Sequence, residues 1–200
     1  MNSLPVSNAL GDKVRLSSGW WGMLALIVTE ASLFGYLLFA YFYLQSQTPQ
    51  AWPPDGAPKL AIPLINTGIL LGSSVLVWLG ERAVRRGRGR AGAAWLAAGF
   101  VAGALFAVIQ LHEWQDKPYR LGSHVYGSLY FTITGFHLLH VLVGLGVLAT
   151  LALWCFIGAQ DRQRHTALSV GALYWHFVDA VWLAVFSALY LTPWLFGVRP

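Results

Sequence analysis

Long stretches of the chain carry almost no polar residues, and the breaks between them are short, polar and rich in Pro, Gly or Arg. Apolar runs of 18 or more residues read as membrane spans. Five can be drawn, at about 20–44, 60–79, 91–111, 125–157 and 170–191. The second is entered through Thr48-Pro49-Gln50-Ala51-Trp52-Pro53-Pro54, and the third follows an Arg-rich turn. The fourth is longer than one bilayer crossing and is expected to project beyond it. Hydrocarbon offers peptide groups no water, so continuous runs of this length are stable only as helices. The expected fold is all-α, a single membrane domain over residues 1–200 built as a bundle of five transmembrane helices. Residues 1–19 hold no apolar core of signal-peptide type, and the first run is too long for an h-region, so the first span is expected to stay attached.

Composition agrees: 56% of the residues are hydrophobic and only 10% are charged, far from the balance of a soluble domain. Charge also sets the expected orientation. The N-terminal segment (Lys13, Arg15), the second turn (Arg82, Arg85, Arg86, Arg88, Arg90) and the fourth (Arg162, Arg164) share nine Lys and Arg residues, against four on the other side, Lys59, Lys117, Arg120 and Arg199. The positive-inside bias places the N-terminus inside and the C-terminus outside. The net charge of +5 does not point to nucleic acid, because the positive residues crowd into one short turn between spans, where anionic lipid headgroups are the fitting partner. Cys155 is the only cysteine, so neither an intrachain disulfide nor a Cys-x-x-Cys site can form, and it reads as an apolar filler.

Against this background the buried polar residues stand out. Glu30 lies near the middle of the first run, where an ionisable side chain costs several kcal/mol and is by default a functional-site hypothesis. The plainer reading is a protonated carboxyl that hydrogen-bonds a neighbouring helix. Residues three apart share a helix face, so His137 and His140 are expected on one polar stripe and His176 and Asp179 on another. Ligation of a metal or haem is the sharper reading, and interhelical hydrogen bonds the plainer and favoured one. Glu30 and Asp179 lie at similar depth, so the two acids and a His are expected to share a layer that can hold a proton or a lipid ammonium group. Glu113 and Asp116 fall at the mouth of the third span, where such charges are ordinarily solvated. Gly68-x-x-x-Gly72 and Gly99-x-x-x-Gly103 have the spacing of close helix approach, and Trp20, Trp21, Trp52, Trp114 and Trp194 sit where interfacial anchors would.

Several runs together resemble subunit III of the haem-copper terminal oxidases, the cytochrome c oxidase subunit III family. They are Gly22-Met23 through Glu30 to Phe39-Ala40-Tyr41-Phe42-Tyr43, then Leu64-Ile65-Asn66-Thr67, then Gln110-Leu111-His112-Glu113-Trp114 with Tyr119. Val125-Tyr126-Gly127-Ser128 with Thr134-Gly135-Phe136-His137 and His140-Val141 follows, and last Tyr174-Trp175-His176-Phe177-Val178-Asp179 with Trp182. Glu30 matches the family's intramembrane carboxylate. The resemblance implies an accessory subunit in aerobic electron transport that has no catalytic residue and binds no haem, copper or other metal itself. Those cofactors would lie in the partners, subunit I as the main contact and subunit II, with a small subunit IV as a further candidate. It also implies bound structural phospholipid and support for proton uptake, with Glu30, Glu113, His137, His140, His176 and Asp179 as the polar positions to examine.

Relative to seven-helix members the first two helices are missing, which resembles the five-helix bacterial forms and implies a bacterial inner membrane. Ser123-His124 stand before Val125 where an acidic residue is common. Quinol oxidases and the accessory proteins of nitric oxide reductases use similar subunits, and the sequence does not separate them. From other classes, a haem-binding anchor would use His137 or His140 with His176, and a small transporter would explain buried charge, though no internal repeat is visible.

Overall fold

The computed structural model describes residues 18–49, 51–158 and 162–195, with only the backbone described at 18 and 162–165. Lys13, Arg15 and Arg199 of the charge count lie outside the described residues. The described chain is helical: α1 Ser18–Gln47, α2 Ala61–Arg85, α3 Gly89–Gln115, α4 Val125–Phe156 and α5 Arg162–Phe186, continued by a π-helical turn Ser187–Leu191 and a short α6 Thr192–Leu195. Five stretches, Gly19–Gln47, Ala61–Arg85, Gly89–Gln115, Val125–Phe156 and Thr166–Leu195, are long and apolar enough to cross a membrane. The 32 residues of α4 extend about 48 Å against a hydrocarbon core of about 30 Å. Helical hydrogen bonding does not stop where the hydrocarbon does. For that reason α2 runs on to Arg85 and α3 to Gln115, beyond the apolar runs that mark them in the sequence.

α2 and α3 form a hairpin closed by Gly87, whose φ of 75° is a left-handed conformation that suits glycine. Gly87 N–H donates to the Val84 carbonyl at 2.9 Å and Arg88 N–H to that of Ala83 at 3.0 Å, the paired bonds of a Schellman cap. The two helices then approach closely: a Cβ on Gly99 would lie 2.9 Å from Val77 Cγ2. The spacing Gly99-x-x-x-Gly103 thus does face the interior, whereas Gly68 and Gly72 face open space, with nothing within 4 Å of a built Cβ. The two motifs look alike in sequence, but only one lies on a buried stripe.

The interior between α2, α3, α4 and α5 is aromatic and tied by small polar residues. Trp175 and Trp182 are fully buried. Their indole N–H groups donate to Ser73 Oγ at 3.0 Å and Thr67 Oγ1 at 2.9 Å, and Asn66 Nδ2 donates to the Phe106 carbonyl at 3.3 Å. Each tie joins α2 to another helix without exposing a polar group to hydrocarbon. α1 is the least buried span and packs through Ile27, Glu30, Phe34, Leu37 and Tyr41, a stripe at helical spacing. Glu30 is therefore on the packing face of α1.

Of the expected aromatic anchors, Trp21 and Trp194 are exposed. Trp52 is not an anchor: it is buried 5.5 Å from the Tyr41 ring and 5.3 Å from that of Tyr126, because the loop between α1 and α2 folds over the bundle end. Cys155 is buried and free.

Candidate functional site

The structure distributes the six candidate polar residues over three places. At the first, Glu30 Oε2 lies 3.0 Å from His140 Nε2, joining α1 to α4. His140 Nδ1 lies 2.7 Å from the carbonyl of Phe136, which only accepts, so Nδ1 carries a hydrogen. Nε2 and Oε2 then share one further proton, as carboxyl facing neutral ring or as carboxylate facing imidazolium. Both forms are net neutral, which is how a low-dielectric layer tolerates an ionisable pair. The pair lines a groove of about 340 Å³ whose other residues are Met23, Leu26, Leu139, Val143, Val147 and Tyr174. Tyr174 Oη donates to the His140 carbonyl at 3.4 Å, so α5 also holds this turn of α4.

At the second place, inside the bundle, His137 and His140 are separated although they are three residues apart. His137 is buried, its Nε2–H donates to the Val178 carbonyl at 3.2 Å, and its ring lies 4.8 Å from that of Trp182 and 5.8 Å from that of Phe106. The single polar stripe expected from the spacing thus splits, His137 turning to α5 and His140 to α1. His176 Nδ1 meets Ser74 Oγ at 2.6 Å and joins α5 to α2. Asp179 is buried, and neither of its carboxyl oxygens has a hydrogen-bond partner among the described residues. Its polar neighbour is Ser74, whose Oγ lies 2.6 Å from His176 Nδ1, so the three side chains cluster between α2 and α5. The direct ion-pair contact of Glu30 is with His140.

The third place is the bundle end where α3 stops and α4 starts. Glu113 is buried, contrary to the solvated mouth expected for it, because α3 continues a full turn past its apolar run. Its Oε1 accepts from Lys117 Nζ at 2.8 Å and from Tyr190 Oη at 2.9 Å, with Tyr130 Oη at 3.5 Å and 2.8 Å from Tyr190 Oη. Lys117 Nζ also stands 5.1 Å from the Tyr130 ring centroid and 5.4 Å from that of Tyr190. The π-helical turn carries Tyr190 and sets its register toward Glu113; such turns frequently accompany functional sites. Asp116, one residue beyond α3, is exposed as expected. Nearby in the loop, burial and the Glu113 charge push the Tyr119 phenol above its ordinary range, against a hydrogen bond with Tyr126.

Lys117, Tyr130, Tyr174, Tyr190 and Ser74 complete these clusters and were not among the six polar positions named from the sequence. Only Glu113-x-x-x-Lys117 carried a signal, the four-residue spacing of a helical ion pair. The others depend on which helices become neighbours. Chemically, the first place can hold and exchange one proton beside an apolar groove, and the other two fasten helices together. Among the described residues no group of three or more His, Cys, Asp or Glu side chains is placed to hold a metal ion.

Comparison with known proteins agrees with this architecture. The family model for cytochrome c oxidase subunit III matches residues 11–194. The chain is 34% identical over 173 residues to "Cytochrome c oxidase subunit 3" of Thermostichus vulcanus, covering 85% of each chain. It is 35% identical over 182 residues to the protein of that name from Anopheles gambiae, covering 85% of this chain and 68% of the relative. With that of Pisaster ochraceus it is 32% identical over 197 residues, or 94% of this chain and 72% of the relative. A match over nearly the whole length, on a chain with five spanning helices, has one consequence: the protein belongs to the cytochrome c oxidase subunit III family.

Proposed function

We propose that this multi-pass chain serves its haem-copper oxidase as a non-redox support subunit. It packs against subunit I as its main contact and against subunit II, with room for a small subunit IV, and leaves haem and copper to those partners. The histidines support this division of labour. His140 directs both ring nitrogens at the Phe136 carbonyl and Glu30, while His137 and His176 each direct one at the Val178 carbonyl and Ser74, which favours joining helices over ligation. The same commitments count against a haem-binding anchor.

The single observation that carries the proposal is the Glu30–His140 pair on the wall of the α1–α4 groove. A shared, exchangeable proton beside an apolar groove suits both functions proposed for it: seating phospholipid chains, and supporting proton uptake by the core subunit. The excess of Lys and Arg at the α2–α3 turn favours an orientation with the N-terminus inside and the C-terminus outside, in a bacterial inner membrane.

The test is sustained turnover by oxidase assembled with Glu30→Gln. A Gln still hydrogen-bonds His140 but cannot take up its proton. The expected result is a normal initial rate of O2 consumption followed by faster loss of activity per turnover. Wild-type persistence, with the variant present in the complex, would refute the proton-sharing role.

A further inference from the structure

A cavity of about 400 Å³ opens at the bundle end that carries the α1–α2 and α3–α4 loops. It is independent of the Glu30–His140 groove, and no residue lines both. Its depth is set by the chain: α2 begins at Ala61 and α3 ends at Gln115, so the lining residues 55–59 and 116–119 lie just beyond the helix ends, at headgroup level. The volume falls within the range of small-molecule sites, about 300–1,000 Å³.

Its walls have two chemistries. Pro53, Pro58, Pro63 and Pro118 form a stiff frame, since proline fixes the backbone before any ligand arrives. Ile62, about half exposed, leads from the cavity onto the apolar outer surface of α2. The charges are mixed, with carboxylates in excess. Asp55, Glu113 and Asp116 line the cavity against Lys59 and Lys117. The Lys117 ammonium is taken by Glu113, whereas Lys59 is exposed and has no partner among the described residues. The ion-pair contacts of Asp55 and Asp116 are with histidines, at 3.8 Å from His124 and 4.0 Å from His112. Beneath them, Glu113 is 6% exposed and its Oε2 has no hydrogen-bond partner among the described residues. A buried, half-satisfied carboxylate in the wall of a preformed cavity is the feature that points to a donor-bearing ligand.

We propose that this cavity binds the headgroup of an aminophospholipid, with its phosphodiester on Lys59, its primary ammonium among Asp55, Asp116 and Glu113, and its acyl chains leaving past Ile62. Each part of the ligand is required by a part of the site. Carboxylates outnumber cations, so a lipid with net negative charge is repelled. Three N–H donors suit several carboxylates, which a quaternary ammonium cannot serve. The apolar exit at the membrane surface suits a tailed ligand over a soluble one. The inference rests on the chain being embedded in a membrane and not on its oxidase role.

The experiment uses the assembled, delipidated oxidase, with heat inactivation and native mass spectrometry after addition of vesicles. Phosphatidylethanolamine is expected to bind and protect, and phosphatidylcholine and phosphatidylglycerol to do so about tenfold more weakly, the loss of one charge-assisted contact. Asp55→Asn with Asp116→Asn, both at exposed positions, should remove the preference, and Lys59→Ala should weaken binding of all three lipids. Glu30→Gln should leave the preference intact, so failure of this proposal is separable from failure of the turnover test. Equal binding of the three lipids, or an unchanged preference in the double variant, would overturn the site. Protection by soluble glycerophosphoethanolamine equal to that by the lipid would overturn the membrane source.

Discussion

Replacing Gly103 by Ala adds one methyl group where α3 meets the Trp175 indole. The new Cβ would lie 2.5 Å from Trp175 Cη2, 2.7 Å from Cζ2 and 3.0 Å from Leu145 Cδ2. The ring has nowhere to go, because its other edge faces Gly144, where a built Cβ would be only 2.7 Å from Cε3. Its N–H is also fixed to Ser73 at 3.0 Å. Overpacking of a filled interior costs about 1–3 kcal/mol, and weakening the indole bond adds about 0.6 kcal/mol. The better helix propensity of Ala returns up to about 1 kcal/mol, leaving a net loss of about 1–3 kcal/mol. Gly72→Ala is the control, since nothing lies within 4 Å of its built Cβ and only the propensity gain applies. Reversible unfolding of the detergent-purified chain by SDS titration measures both. The expected order is Gly72→Ala at least as stable as the wild type and Gly103→Ala clearly less so. A Gly103→Ala variant as stable as Gly72→Ala would refute the packing of Trp175 between α3 and α4.

Lys117→Ala leaves the buried Glu113 carboxylate without its cation and should cost about 3–5 kcal/mol in the same titration. Tyr190→Phe removes one neutral donor to that carboxylate and should cost about 1–2 kcal/mol, so a larger effect than Lys117→Ala would contradict the ion-pair account. Ser73→Ala should cost about 1 kcal/mol by orphaning the Trp175 N–H, and should lose most of its effect in a Trp175→Phe background, which a double-mutant cycle checks.

The spans were legible because hydrocarbon imposes one rule on backbone groups: any apolar run long enough must be helical. Glu30 was legible as an intramembrane carboxyl for the same reason. Its partner was not. His137 and His140 have equal claims by spacing, and only the rotation of α4 against α1 and α5 decides that His140 meets Glu30 while His137 turns inward. Glu113 was misplaced because hydropathy marks where hydrocarbon ends rather than where the helix does. The glycine motifs show the same limit: Gly68-x-x-x-Gly72 and Gly99-x-x-x-Gly103 differ only in the direction they face. Ser73 and Ser74 gave no signal, being ordinary small residues until Trp175 and His176 are placed beside them.

The central claim is that this family member supports an oxidase whose redox groups lie in other subunits. Affinity purification of the tagged chain in mild detergent, with an optical spectrum and mass spectrometry of what accompanies it, tests that directly. Haem signals that travel with larger subunits and are absent from the chain alone are the predicted result. A chain that purifies alone and colourless, or alone and carrying haem, would contradict it.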